Sequence, residues 1–275
     1  MNKFSFSSNI YPFMAIISLT TDWQHRDYYL GALKGRLLSI CPGAQLVDLS
    51  HNVDNYNISQ ASFIIKNAFI HFPKESIHII GVKSEETPEH PHVAVKYKDH
   101  YFIGADNGIL SLIMKGEPEE IVRIENIDKE NNFLTFPELN VFAKAAAHIV
   151  KYNNLSGLGF RQKELYRLVP IRALIQKGTV TGQIIYIDSY GNVTTNISKE
   201  LFESTRQKRE FEILVQSNHY RITKINQNYH ESSEGDFLAL FNSSGLLEIA
   251  INKGNLAELL QLDINSDIRI KFNDH

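Results

Sequence analysis

The sequence predicts an α/β protein: an N-terminal, mostly parallel sheet flanked by helices, followed by a C-terminal antiparallel β-barrel or sandwich. Three observations carry this. Short apolar runs of strand length alternate with helical stripes through the first half. Strand signals then crowd the second half almost without a helix. The 275 residues suit one large domain or two unequal ones.

Ala15-Ile16-Ile17-Ser18-Leu19 is an apolar run fit for a buried strand, closed by Thr20-Thr21-Asp22. Asp27 is read as the N-cap of a helix carrying Leu30, Leu33, Leu37 and Leu38, which Pro42-Gly43 ends. Leu46–Leu49 is the next strand. Ile58, Ala61, Ile64, Ile65 and Ala68 form a second helical stripe, closed before Pro73, and Ile77–Val82 is a third strand. Val93–Tyr97 and Tyr101–Ile103 read as a hairpin about Lys98-Asp99, and Asp106-Asn107-Gly108 turns into a short helix. An Ala-rich helix spans Val141–Val150. Strands then follow over Gly182–Asp188, Phe211–Val215, Tyr220–Ile222, Phe237–Phe241, Leu246–Ile251 and Ile268–Phe272, with helix only near Leu256–Leu260. The expected organisation is an α/β domain over 14–158, a linker over 159–170 and a β-barrel domain over 171–275. Residues 1–13 are expected to be an extension or an upstream mis-start.

Composition excludes several classes. Lys plus Arg number 28 against 31 Asp plus Glu, a formal charge of −3, which leaves no electrostatic footprint for nucleic acid or an anionic membrane. Cys41 is the only cysteine, so neither an internal disulfide nor a thiolate metal cage can form. No apolar run approaches the roughly 20 residues of a membrane helix, and the N-terminus lacks the apolar core of a signal peptide. A cytoplasmic protein is expected.

In an open parallel sheet, ligands collect beyond the carboxyl ends of the strands. Three polar clusters fall there: Thr20–Asp27, Asp48–Tyr56 and Lys83–His92. A carboxylate at a strand end, such as Asp22, can accept hydrogen bonds from both hydroxyls of a ribose, or can simply cap the next helix. Tyr56 can stack on a ring or pack. His90, His92 and His100 lack the carboxylate or cysteine pattern that would complete a metal site and read as solvated histidines; His148 reads as a core histidine. Phosphate-loop, His-Glu-x-x-His and Gly-x-Ser-x-Gly motifs are absent. Neither a metal nor a cofactor is expected.

Leu19-Thr20-Thr21-Asp22, followed by Asp27-Tyr28-Tyr29-Leu30-Gly31 and Lys34-Gly35, resembles the opening of the S-adenosylmethionine (SAM) hydroxide adenosyltransferases, relatives of the SAM-dependent fluorinase and chlorinase. The likeness continues through Ile40-Cys41-Pro42, Val47-Asp48-Leu49-Ser50-His51, Phe72-Pro73 and Asp106-Asn107-Gly108. It resumes at Tyr186-Ile187-Asp188-Ser189-Tyr190-Gly191-Asn192 with Thr195-Asn196-Ile197, and closes with Asn242–Ala250. The ordered set, over residues 14 to 272, is specific where no single piece is. The resemblance implies a homotrimer that binds SAM, as substrate or ligand, between the first domain of one subunit and the barrel of the next. It implies Asp22 on the ribose diol, Tyr56 near ribose and adenine, and Asp27 and Tyr29 on the methionine side. Asp188 would meet the ammonium, Tyr190 and Asn192 the adenine, and Ser243 and Ser244 the carboxylate.

The same resemblance exposes departures. Where the hydrolysing family reads Asp-Pro-Gly-Val-Gly and then an arginine, this chain reads Val82-Lys83-Ser84-Glu85-Glu86-Thr87-Pro88-Glu89-His90. Where the family reads Thr-Phe-His-Gly-Arg-Asp, it reads Thr135-Phe136-Pro137-Glu138-Leu139-Asn140. The family's water-positioning aspartate, arginine and histidine thus fall on Lys83, His90 and Pro137. Proline offers no side-chain donor or acceptor. A lysine beside a sulfonium would be repelled by on the order of 4 kcal/mol at about 4 Å and an effective dielectric of about 20. Lys83 must therefore point away, be neutralised by Glu85, Glu86 or Glu138, or face another ligand. Glu138 lies where the halogenating relatives bind halide, and a carboxylate repels halide. Two readings stay open. One is SAM cleavage by water at ribose C5′ with Glu138 or His90 as base. The other is a non-catalytic sensor or scaffold that binds SAM or adenosine.

Overall fold

The computed structural model describes residues 14–127, 135–216 and 220–273; the expected extension, 1–13, lies outside them. The chain divides into two units between Leu168 and Val169.

The first unit is a seven-stranded sheet of β1 (Ile16–Thr21), β2 (Gln45–Ser50), β3 (Ile77–Gly81), β4 (His92–Tyr97), β5 (His100–Ala105), β6 (Glu120–Ile124) and β7 (Gly159–Arg161). The spatial order is β2-β1-β3-β5-β4-β6-β7. The three pairings from β2 to β5 are parallel and the three from β5 to β7 antiparallel, so the sheet is mixed. The stretch 159–170, expected as a linker, therefore begins with a strand of this sheet.

Helices α1 (Tyr29–Ile40), α2 (Ile58–Ala68), α3 (Ile109–Ile113) and α4 (Ala143–Tyr152) cover it. Alternation along the strands sends neighbours to opposite faces. Ile79 joins Leu33, Leu37, Ala145 and Ile149 of α1 and α4, while Ile80 joins Ala61, Ile65, Ile109 and Leu110 of α2 and α3. The cap expected at Asp27 is not made: the N-cap position of α1 is one residue later, at Tyr28, without a side-chain cap, and Asp27 is exposed. Asn57 does cap α2, accepting from the Gln60 N–H at 3.0 Å. Lys98 (φ 51°) and Asp99 (φ 61°) are both left-handed, the two-residue hairpin turn whose twist matches that of the strands it joins. Ahead of α4, Glu138–Phe142 winds as a π-helical turn in which the Ala143 N–H reaches back to the Glu138 carbonyl.

The second unit is an antiparallel, nearly closed barrel of β8 (Leu174–Gln176), β9 (Thr179–Ile187), β10 (Val193–Ser198), β11 (Glu210–Val215), β12 (Tyr220–Ile222), β13 (Phe237–Phe241), β14 (Leu246–Ile251) and β15 (Asp267–Asn273). Its order is β12-β11-β15-β9-β10-β14-β13, with β8 also on β9. β15 alternates exposed and buried residues throughout, and Ile268 and Ile270 fill the interior with Val180, Ile184 and Ile249. Two helices accompany the strands, α5 (Lys199–Arg206) and α6 (Leu256–Leu260). Only α6 is expected from sequence. α5 buries a single side chain, Phe202, so it carries almost no helical stripe; its Ser198 cap, which accepts from the Leu201 N–H at 3.2 Å, was the available signal. Among the described residues, no helix is long and apolar enough to cross a membrane.

Candidate ligand site

β1, β2 and β3 run parallel, and the segments leaving their carboxyl ends enclose a cavity of about 730 Å³. Asp22 and Trp23 follow β1, Asn55 and Tyr56 follow β2, Lys83–Glu86 follow β3, and Thr135–Glu138 close the wall. Of the sequence-predicted site residues, Asp22, Tyr29, Tyr56, Lys83, Pro137 and Glu138 all line this one space.

Asp22 is buried, and its Oδ2 accepts the Tyr56 N–H at 2.8 Å while its carbonyl accepts from Asn55 Nδ2 at 3.1 Å. Tyr56 (φ 64°) and Lys83 (φ 47°) both hold left-handed backbone, strain of about 1–3 kcal/mol each that persists only where the surroundings over-determine it. The Tyr56 ring is 72% exposed, free to lie on a ligand. Trp23, Tyr29 and Phe136 form an aromatic wall, with centroids 5.9, 5.4 and 5.3 Å apart.

Glu138 stands on the cavity wall. It is 2% exposed, and its buried Oε1 has no hydrogen-bond partner among the described residues. Burial pushes its carboxyl up to about 7; the Asp22 charge adds to this and the Ser84 hydroxyl opposes it. Gly81 makes the placement possible: a Cβ there would stand 3.0 Å from Glu138 Oε1 and 3.1 Å from the Trp23 ring. Lys83 is exposed and makes no ion pair among the described residues, so none of Glu85, Glu86 and Glu138 neutralises it. Asp22, Glu85, Glu86 and Glu138 outnumber it, and the cavity is an acidic one.

His90 and Asp27 stand apart. The His90 Nδ1–H reaches the Asp106 carbonyl at 3.0 Å, and its ring packs edge-on against Tyr166, outside the cavity lining, so it cannot serve there as a base. Asp27 lies outside the lining as well. Sequence reasoning missed Trp23, Phe136 and His92 as lining residues. Trp23 was open to notice, being the only tryptophan and adjoining Asp22.

The second unit has its own pocket, of about 650 Å³, lined by Asp188, Tyr190, Asn192, Tyr229 and residues 251–255. Asp188 Oδ1 accepts the N–H groups of Tyr190 and Asn192, and Oδ2 accepts Asn192 Nδ2, all at 2.9 Å. Ser243 is exposed. Ser244 donates to Asn242 Oδ1 at 2.6 Å, and neither serine lines the pocket. Asn242 in turn reaches Glu248, whose other oxygen accepts the Tyr229 hydroxyl, so a polar network joins the serine loop to the pocket wall.

Fold and geometry together define a two-unit α/β protein with a cavity at its parallel strand ends, walled by aromatic rings and carboxylates. The chain matches the model of the SAM hydroxide adenosyltransferase N-terminal domain over residues 17–159 and that of the C-terminal domain over 182–269. It is 30% identical to the (R)-S-adenosyl-L-methionine hydrolase of Methanocaldococcus jannaschii, covering 94% of this chain and 96% of that protein. It is 21% identical to the fluorinase of Actinopolyspora mzabensis, covering 93% and 96%. The crystal structure of an uncharacterized conserved protein from Thermotoga maritima superimposes with a TM-score of 0.84 at 28% identity, over 93% of this chain and 99% of that one. The chain belongs to the SAM hydroxide adenosyltransferase family.

Proposed function

We propose that this protein binds SAM and cleaves it with water at ribose C5′, Glu138 serving as the base. The observation that carries the reading is the buried, unpartnered Glu138 oxygen in an acidic cavity, on a carboxyl poised near neutrality. Water oxygen bonds to C5′ as the C5′–sulfur bond breaks. The electron pair passes to sulfur, giving methionine, and the water proton passes to Glu138 and then to solvent, giving adenosine. A sulfonium is a good leaving group, so alignment in a dry pocket supplies much of what remains. Asp22 takes the ribose diol through the acceptor sites that the Tyr56 N–H on Oδ2 leaves open, and Tyr56 and Tyr29 flank the nucleoside and methionine portions. The family's aspartate, arginine and histidine are replaced here by Lys83, His90 and Pro137, and Glu138 takes over water activation.

Within the same reading the chain is a homotrimer with ligands held between copies. Asp188 meets the ammonium, Tyr190 and Asn192 the adenine, and Ser243 and Ser244 the carboxylate. Asp188, already held by its own turn, presents a fixed charge.

Purified protein incubated with SAM, with chromatography for adenosine and methionine and a binding titration alongside, tests the proposal. Equimolar release of both products is expected. Tight binding without release would replace catalysis by the sensor reading, and no binding would end both. Sedimentation equilibrium reads the trimer.

A further inference from the structure

Next to Asp22 lies a group of side chains that the proposed chemistry does not use. His51 is buried; its Nδ1 lies 2.8 Å from Thr21 Oγ1, and its Nε2 lies 3.1 Å from Asp48 Oδ1. Asp48 Oδ2 meets Lys34 Nζ at 2.6 Å, and the His25 ring packs edge-on against His51 at 5.4 Å. An aspartate, a histidine and a hydroxyl in sequence resemble a nucleophile triad. Burial rules that out: Thr21 is 0% exposed and does not line the cavity, so no substrate reaches its hydroxyl.

The arrangement holds backbone instead. A carboxylate 3.1 Å from Nε2 favours the proton on that nitrogen, although the N–H lies off the straight line of a good hydrogen bond. Nδ1 is then an acceptor, and the Thr21 hydroxyl donates to it. The His51 carbonyl accepts the Gln24 N–H at 2.7 Å. His51 thereby grips the residue before Asp22 with its ring and the second residue after it with its backbone. Gln24 (φ 59°) and Tyr56 (φ 64°), both left-handed, are the residues whose amides close this knot, Gln24 on His51 and Tyr56 on Asp22. Such strained backbone endures only where several bonds fix it.

We infer that His51, oriented by Asp48 and bonded to Thr21, is a positioning residue that fixes the Asp22 carboxylate for a ribose diol. The inference rests on the nucleoside reading of the cavity for its ligand, but not for its mechanics. The groups facing the His51 ring are Asp48, Lys34 and His25; burial holds the imidazole below its ordinary pKa against the pull of Asp48, so the acceptor form persists at neutral pH.

The test uses Thr21→Val, which keeps shape and removes the donor, and Asp48→Asn, at a half-exposed side chain that folding tolerates. Calorimetry with adenosine and with 2′,3′-dideoxyadenosine is paired with hydrogen exchange at the Tyr56 amide. Both variants are expected to weaken adenosine by about tenfold, the scale of one lost hydrogen bond to a charged group, and to leave the dideoxynucleoside nearly unchanged. Tyr56 amide exchange is expected to accelerate in both. Equal weakening of the two nucleosides, or lowered thermal stability with the Tyr56 amide as protected as before, would overturn the inference. If the parent protein binds neither nucleoside, the ligand reading falls, and the Tyr56 amide alone decides whether His51 holds Asp22.

Discussion

The two pockets hold carboxylates in opposite conditions. In the first unit, Glu138 is buried with an oxygen left unbonded, and only one Asp22 oxygen takes a hydrogen bond from the described residues. In the second, both Asp188 oxygens accept hydrogen bonds from the turn that carries them, two on Oδ1 and one on Oδ2. An unsatisfied buried carboxylate costs stability and is kept where chemistry needs it. One held by several hydrogen bonds is a fixed charge, suited to orienting a ligand rather than to taking its proton. The proposed base accordingly lies in the α/β unit.

The comparison breaks most visibly at Glu138. Glu138→Gln keeps the shape and removes the base, so SAM turnover should fall by about 10²–10⁴-fold with affinity largely retained; product chromatography beside a titration reads it. Unchanged turnover would place the base elsewhere. Asp22→Ala comes next: losing a charge-assisted bond to a diol should weaken adenosine and SAM by roughly 10–100-fold, read by calorimetry.

Acidity sharpens the contrast through stability. The Glu138 carboxyl sits near 7 when folded against 4.5 ordinarily. The native state holds the extra proton between those values. The stabilisation linked to this group is thus complete below about 4.5 and is lost as pH rises through about 7, on the order of 3 kcal/mol. Glu138→Gln should therefore melt several degrees above the parent at pH 8, and the gap should close towards pH 4.5. Turnover in the parent should rise through pH 7 as the base ionises. Lys83→Ala has the smallest effect: removing an exposed like charge should tighten SAM by about twofold to fivefold at low salt, and less at high salt.

Much of the framework was legible because local rules agreed with the fold. Ile16–Leu19 and Ile77–Gly81 are buried parallel strands and read as continuous apolar runs. The Lys98-Asp99 hairpin turn announced itself between two short apolar strands. The antiparallel half of the first sheet was less visible, since a three-residue strand such as Gly159–Arg161 has no periodicity to detect. For the site, Asp22, Tyr56 and Glu138 are widely separated in sequence, and only family likeness could bring them together before the topology did. His90 misled because strand-end loops attract functional readings, whereas its backbone N–H closes a tight turn on the Thr87 hydroxyl and its ring reaches the Asp106 carbonyl. Nothing in the sequence around His51 signalled its hold on Thr21 and Gln24, which depends on separate segments folding into contact.

The π-helical turn over Glu138–Phe142 has an evolutionary consequence. It holds one residue more than regular winding would, and each residue of an α-helix accounts for about 100° of rotation. Deleting a single residue between 139 and 142 is expected to restore an ordinary helix and swing Glu138 off the cavity wall. Loss of the proposed base is thus open to an indel of one codon as well as to substitution.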